Sequence, residues 1–244
     1  MRFFVFFAVF FFSSVVSGQN DKIDKGDLIL KSGYTLLVPQ FGQNSQLGMS
    51  RYGMPTLSVG YLLSENFSLE FFAGVPSTIS VFSSASGGET KVASFVPLSP
   101  NMVLQYYFRP KSSAFRPYVG AGLIYSSFHR VKPLGPLTGA TFSLKNSLDP
   151  VFQVGVDYPL NDKISVNVDI KKLKTSSGAS ATNLDKTALG PYAPKSIDYQ
   201  MGMEPLAISL NVVWLFEDLK TRKKNNRPRA RARHNKRSQR SLLF

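Results

Sequence analysis

Lys31, Glu70, Asp157, Asp169 and Lys171 carry charges of both signs, and Gln105, Gln153, Asn167 and Asn211 add amides, each set within a stretch of alternating apolar residues. Gathered on one face, such side chains can form hydrogen-bonded ion pairs that stiffen a scaffold, or they can line a polar path. Buried charges must be paired in any case, so the stiffening role is the simpler of the two. Nucleophilic catalysis would need a Ser/His/acid set. The chain has only two histidines. His129 stands beside Ser126 and Ser127, where a lone loop histidine is ordinarily a solvated surface group, and His234 lies in a basic run near the C-terminus. With no cysteine, zinc ribbons, thiol catalysis and disulfide scaffolds drop out. No spacing points to a calcium or zinc site, no glycine loop is built to cradle phosphate, and no cofactor is expected.

The elements that must position these residues follow from a hydrophobic period of two, the signature of strands with one apolar face. Leu206, Ile208, Leu210, Val212, Trp214 and Phe216 share one face, and Ala207, Ser209, Asn211, Val213 and Leu215 the other. Ile164, Val166, Val168 and Ile170 oppose Ser165, Asn167, Asp169 and Lys171. Phe152, Val154, Val156 and Tyr158 oppose Gln153, Gly155 and Asp157. Val119 to Tyr125, Met102 to Phe108, Leu28 to Val38, Leu57 to Leu63 and Phe67 to Ala73 complete eight strands. By the same parity Leu37, Leu62, Phe72, Ile124 and Leu215 fall on the polar residues' side, where they either line an apolar path or fill space.

Connections alternate as well. Ser64 to Asn66, Pro110 to Ala114 and Asn161 to Lys163 read as tight turns. Pro39 to Gly53, Val75 to Pro97, His129 to Leu148 and Thr175 to Glu204 read as long, polar, Gly/Ser/Pro-rich loops. Short turns at one end and long loops at the other, on an even number of antiparallel strands, predict a transmembrane β-barrel with periplasmic turns and extracellular loops. A soluble eight-stranded barrel would have to bury Lys31, Glu70, Asp157, Asp169 and Lys171 in its apolar core, at several kcal/mol per unpaired ion. With the apolar face in lipid the same pattern costs little. Tyr61, Phe67, Tyr106, Phe108, Tyr125, Tyr158, Trp214 and Phe216 sit at strand ends and suit interfacial girdles. Gly120 and Gly122 relieve crowding inside a small barrel or mark bends.

Charge and the termini fit this layout. The chain of 244 residues has a formal net charge of +14, of which the segment from Glu217 to Phe244 carries +9. Residues 19 to 216 carry only +4, so the basicity belongs to a tail and not to the domain. Residues 1 to 18, with Arg2, an apolar run from Phe3 to Phe12 and small residues to Gly18, read as a signal peptide. The run is shorter than the roughly 20 apolar residues of a membrane-crossing helix. Residues 217 to 244 are expected to form a disordered tail attracted to envelope polyanions. Nucleic acid is not an expected partner, because a secreted chain meets little of it.

The blocks NMVLQYYF, FRPYVGAGLIYSSF, FQVGVDYPLNDKISVNVDIKKLKT and ISLNVVWLF resemble, in order and spacing, the outer membrane protein W (OmpW-like) family, as do GDLILKSGYTLLVPQ and PTLSVGYLLSENFSLEFFAGVP. The likeness covers about Gly26 to Phe216, and RPYVGAG and GVDYPLND are its most distinctive parts. It implies an all-β, eight-stranded antiparallel barrel in the outer membrane of a Gram-negative bacterium, surrounded by outer-membrane lipids. The family further implies a narrow lumen that binds or passes small hydrophobic molecules. Members normally stop at a terminal aromatic. Here Phe216 resembles that residue, and 28 more follow. An eight-stranded interior holds side chains or one small ligand, so a general diffusion pore is not the expectation. The alternative is a non-conducting surface barrel whose loops contact host, phage or bacteriocin. A lipid hydrolase or acyltransferase centred on His129 is the enzyme reading, and it is not the expectation.

Overall fold

The computed structural model describes residues 26–40, 47–84, 88–110 and 113–216. The expected signal peptide and basic tail lie outside them. Fourteen strands are present among the described residues: β1 Leu28–Val38, β2 Leu47–Met49, β3 Tyr52–Leu62, β4 Phe67–Gly74, β5 Ile79–Ser83, β6 Thr90–Leu98, β7 Asn101–Tyr107, β8 Arg116–Pro133, β9 Thr141–Leu144, β10 Ser147–Pro159, β11 Ile164–Leu173, β12 Thr175–Thr182, β13 Ser196–Met203 and β14 Leu206–Phe216.

Eight of them, β1, β3, β4, β7, β8, β10, β11 and β14, pair antiparallel in that order, and β14 returns to β1 to close the ring. Closure is complete from Leu28↔Phe216 to Val38↔Leu206. No helix among the described residues is long and apolar enough to cross a membrane. The barrel wall does so in another way. Its outward rows, such as Leu57, Val59, Phe71, Met102, Leu104, Leu123, Phe152, Val154, Ile170, Leu210 and Val212, are all exposed. An apolar surface that encircles a molecule is far larger than the few hundred Å² a soluble monomer tolerates, and lipid is the solvent that matches it. At the short-turn end Phe67 stacks on Tyr106 at 5.1 Å and Tyr106 meets Phe108 edge-on at 5.3 Å, starting an aromatic girdle.

The short turns are built from side chains that replace backbone partners. Asn161 Oδ1 accepts the N–H groups of Lys163 and Ile164, both at 2.9 Å. Ser64 Oγ accepts from Phe67 N at 3.1 Å, and Asn66 donates to Tyr107 O at 2.8 Å.

The long connections are more ordered than their composition predicts. They carry β2, β5, β6, β9, β12 and β13, and β3 begins at Tyr52 instead of Leu57. β6 continues the wall by pairing with the upper half of β8, which runs to Pro133, and β5 pairs with β6 in turn. A bulge there puts Arg130 at φ 52°. β9, β12 and β13 form a separate three-stranded sheet. The ladder between β8 and β10 therefore stops at Ser126↔Ser147, above which the two strands follow different sheets. Single-turn 3-10 helices at Gly135–Leu137 and Leu184–Lys186 complete this crown.

Candidate functional site

The nine polar candidates all stand on the interior face of the barrel. Lys31, Glu70, Gln105, Gln153, Asp157, Asn167, Asp169, Lys171 and Asn211 are each at most 5 % exposed. They are brought together in one layer. Lys31 Nζ lies 2.7 Å from Glu70 Oε2. Lys171 Nζ lies 2.9 Å from Asp169 Oδ1 and 3.5 Å from Glu70 Oε1. Amides link these ions: Gln105 donates to Gln153 at 3.0 Å, Gln153 to Glu70 at 3.4 Å, Asn167 to Asp157 at 2.6 Å, and Asn211 to Asn167 at 2.9 Å and to Asp169 at 3.2 Å.

Three larger residues outside the nine join the layer, as does Ser68, which donates to Gln105 at 2.8 Å. Tyr118 OH receives hydrogen bonds from Gln153 at 3.3 Å and Asn167 at 3.1 Å, and Lys31 Nζ stands 4.9 Å from the centre of its ring. Tyr107 donates to Gln105 at 3.3 Å. Arg116 stacks on Tyr107 at 4.2 Å and reaches the carbonyls of Arg109 and Glu65. Parity alone sets these three on the inward face, because aromatic and strand-end residues suit an interface or a turn equally well. The belt holds Lys31, Lys171 and Arg116 against Glu70, Asp157 and Asp169, so its formal charge is balanced. That balance offsets the desolvation that would otherwise forbid burial of so many ions.

Glycines make room for the belt. An added Cβ on Gly155 would come within 2.5 Å of the Tyr118 phenol. On Gly120 it would meet Val103 at 2.6 Å.

Below the belt, at the short-turn end, Ile29, Leu62 and Val213 pack together with Leu215. Above it the chemistry reverses. Leu37, Val103, Ile124, Val151, Leu173 and Ala207 form an apolar ring, with Phe72 under Lys171 Nζ at 4.3 Å. Over this ring lies a cavity of about 70 Å³ whose walls continue upward through Tyr52, Met49, Met54, Ile79, Phe95, Phe128 and Met203. A bound water occupies roughly 10–15 Å³ on this measure, so the space fits several waters or a small organic group. Its crown-side lining comes from segments read as polar loops. The available signals were the short alternations Ile79 and Val81, Val92 to Phe95, and Met201 and Met203, whose apolar residues pack in the crown.

His129 is exposed and lies 3.2 Å from Ser127 Oγ; Ser126 faces the cavity. No acid joins that pair among the interactions of the described residues. No group of three or more metal-binding side chains is present among them either.

A model described as the OmpW family matches residues 24–216. Outer membrane protein W of Vibrio cholerae serotype O1 is 33 % identical over 159 residues, covering 60 % of this chain and 72 % of that protein. The dibenzothiophene metabolism operon protein PahQ of Pseudomonas aeruginosa is 24 % identical over 157 residues, 64 % of this chain and 68 % of that one. Among solved structures, the outer membrane protein OprG from Pseudomonas aeruginosa superposes with a TM-score of 0.68 at 20 % identity, over 81 % of this chain and 99 % of that one. That last likeness is one of fold.

Proposed function

This chain belongs to the OmpW family of outer-membrane β-barrels, and from that premise we propose that it takes small hydrophobic molecules into the apolar chamber above the belt and passes them on without forming an aqueous pore. The observation that carries this reading is the stacking of a chamber lined by Leu37, Phe72, Ile124, Leu173 and Ala207 directly on a closed, charge-paired layer. Apolar molecules gain from leaving water for such a lining at about 25 cal/mol per Å². Ions and polar solutes gain nothing there. A relative named for a dibenzothiophene metabolism operon supports the same class of solute, since dibenzothiophene is a small apolar aromatic. With the axis closed, the way onward is sideways. The β8–β10 ladder ends at Ser126 and Ser147 beside the chamber, and it offers a seam toward the bilayer. The nine belt residues then act as a floor that holds the barrel rigid and turns solutes aside.

The test is equilibrium binding of naphthalene, followed by its fluorescence, to the full chain in nanodiscs, corrected for partition into empty ones. Ala207 stands between Leu37 and Lys171 in register. The reading expects saturable binding that A207F abolishes by filling the chamber. Non-saturable binding, or binding unchanged in A207F, contradicts it.

The basic segment has a separate role on this reading. β14 ends at Phe216 on the side of the short turns, so the +9 of the residues beyond it is delivered to the periplasm, toward anionic envelope polymers. Equal retention on purified envelope fractions after deletion of Glu217 to Phe244 would exclude that role.

A further inference from the structure

We infer that the outer wall carries a binding site for a lipid whose head group is a phosphorylated sugar, built along one face of β11 and β12 and separate from the interior chamber. From Asn167 to Thr182 buried and outward residues alternate without a break, so the two strands and Lys174 between them present one continuous outward row. That row changes chemistry with height. Val168 and Ile170 are apolar and exposed, in the band that lipid chains cover. Lys172 and Lys174 come next, both exposed. Beyond them stand Ser176, Gly178, Ser180 and Thr182, small and rich in hydroxyls. Apolar groups, then cations, then hydroxyls complement a lipid read from its tails upward: acyl chains, phosphate, sugar.

The neighbours of the row fit each zone. Lys172 lies in register between Phe152 and Leu206, so its methylene stem rests on the apolar wall while its ammonium reaches the head-group level. There Nζ is 2.8 Å from Glu204, in a pair half exposed on both sides. An exposed pair holds weakly, and a phosphate carries more charge than the carboxylate it displaces. Lys174 enters no ion pair among the described residues, which leaves it available to the same phosphate. Above the lysines the sheet forms a depression of about 450 Å³, within the range of small-molecule sites. Register sets Ser143 and Asp198 on either side of Ser180 and Gln200 beside Gly178, and Lys145 Cδ lies 3.1 Å from where a Gly178 Cβ would stand. These side chains offer both donors and acceptors, as the hydroxyls of a sugar require. A phospholipid without a sugar would leave this zone empty.

The experiment titrates the full chain in detergent micelles and counts bound lipid by native mass spectrometry. The probes are diphosphoryl lipid A, the same lipid stripped of its phosphates, and phosphatidic acid, which has the phosphate and chains without a sugar. The expected result is the first lipid A bound about tenfold tighter than either comparison lipid, the effect of a charge-assisted contact. K174Q weakens it about fivefold and K172Q/K174Q about twentyfold, as for one and two basic residues at an anionic surface. E204Q, which frees Lys172, tightens it. K91Q/K132Q removes the same charge from β6 and the upper half of β8 and leaves the affinity unchanged. Equal binding of either comparison lipid, unchanged affinity in K172Q/K174Q, or the same loss in K91Q/K132Q overturns the inference. None of these outcomes touches naphthalene binding in the chamber, which does not depend on the outer wall.

Discussion

Glu70 on β4 and Lys171 on β11 stand on diametrically opposite strands of the eight-stranded ring, yet their charged ends are 3.5 Å apart. The pair crosses the axis, with Lys31 on one side of Glu70 and Asp169 on the other side of Lys171. On the proposed reading this crossing leaves no column for water and ions through the layer. In planar bilayers the wild-type protein is therefore expected to give no steady conductance, whereas E70A/K171A, which truncates both ends of the crossing, gives discrete conductance steps. Steady channels from the wild-type protein would show that the layer is not closed.

The same ions make stability asymmetric. E70L leaves Lys31 buried without the carboxylate 2.7 Å away, whereas Lys171 keeps Asp169. Breaking one side of a buried pair costs about 3–5 kcal/mol, and replacing both sides with apolar groups costs much less. E70L is expected to lower unfolding stability in urea by that amount, and K31M/E70L to recover at least half of the loss. Additive losses in the double-mutant cycle would show that the two residues are not coupled.

Tyr118 lies over Gly155 so closely that a methyl group there would come within 2.5 Å of its phenol, which accepts from Gln153 and Asn167. G155A is expected to displace the ring, loosen both hydrogen bonds and cost about 1–3 kcal/mol in the same urea titration. At Gly202 in β13 an added Cβ meets nothing within 4 Å, so G202A serves as a near-neutral control.

The outward rows make a separate claim about solvent. Leu210 is 60 % exposed in the middle of β14, between Tyr34 and Val168 on the neighbouring strands. If lipid surrounds it, L210R costs about 2–4 kcal/mol in a bilayer. Tyr192, fully exposed in the crown, is expected to accept arginine without measurable loss. Equal tolerance at both positions would contradict the membrane placement of the wall.

How much of this was legible in the sequence follows from what each region needs to declare itself. The barrel strands carry large apolar residues at every second position because lipid must meet every one of them, so Ile208, Leu210 and Val212 fix the facing of Ser209 and Asn211 by parity alone. The crown strands face water on one side and one another on the other. Thr175–Thr182, for instance, alternates only between small residues, and nothing in that pattern separates a strand from a loop. The belt was legible where its members are charged or amides. Tyr107, Tyr118 and Arg116 were hidden because aromatic and strand-end residues have ready explanations elsewhere. The chamber was only half visible: Leu37, Phe72 and Ile124 follow from parity, but Met49, Phe95 and Met203 reach it through tertiary contacts between crown hairpins.

Passage of small apolar solutes by way of the chamber is the function proposed for this barrel. Its most direct test is the initial rate at which a small apolar fluorophore enters cells that lack this protein, compared with the same cells carrying the wild-type chain or A207F at matched surface levels. Faster entry is expected with the wild-type chain, and with A207F a rate no higher than that of the deletion. Equal rates in all three strains, or entry restored fully by A207F, would contradict it.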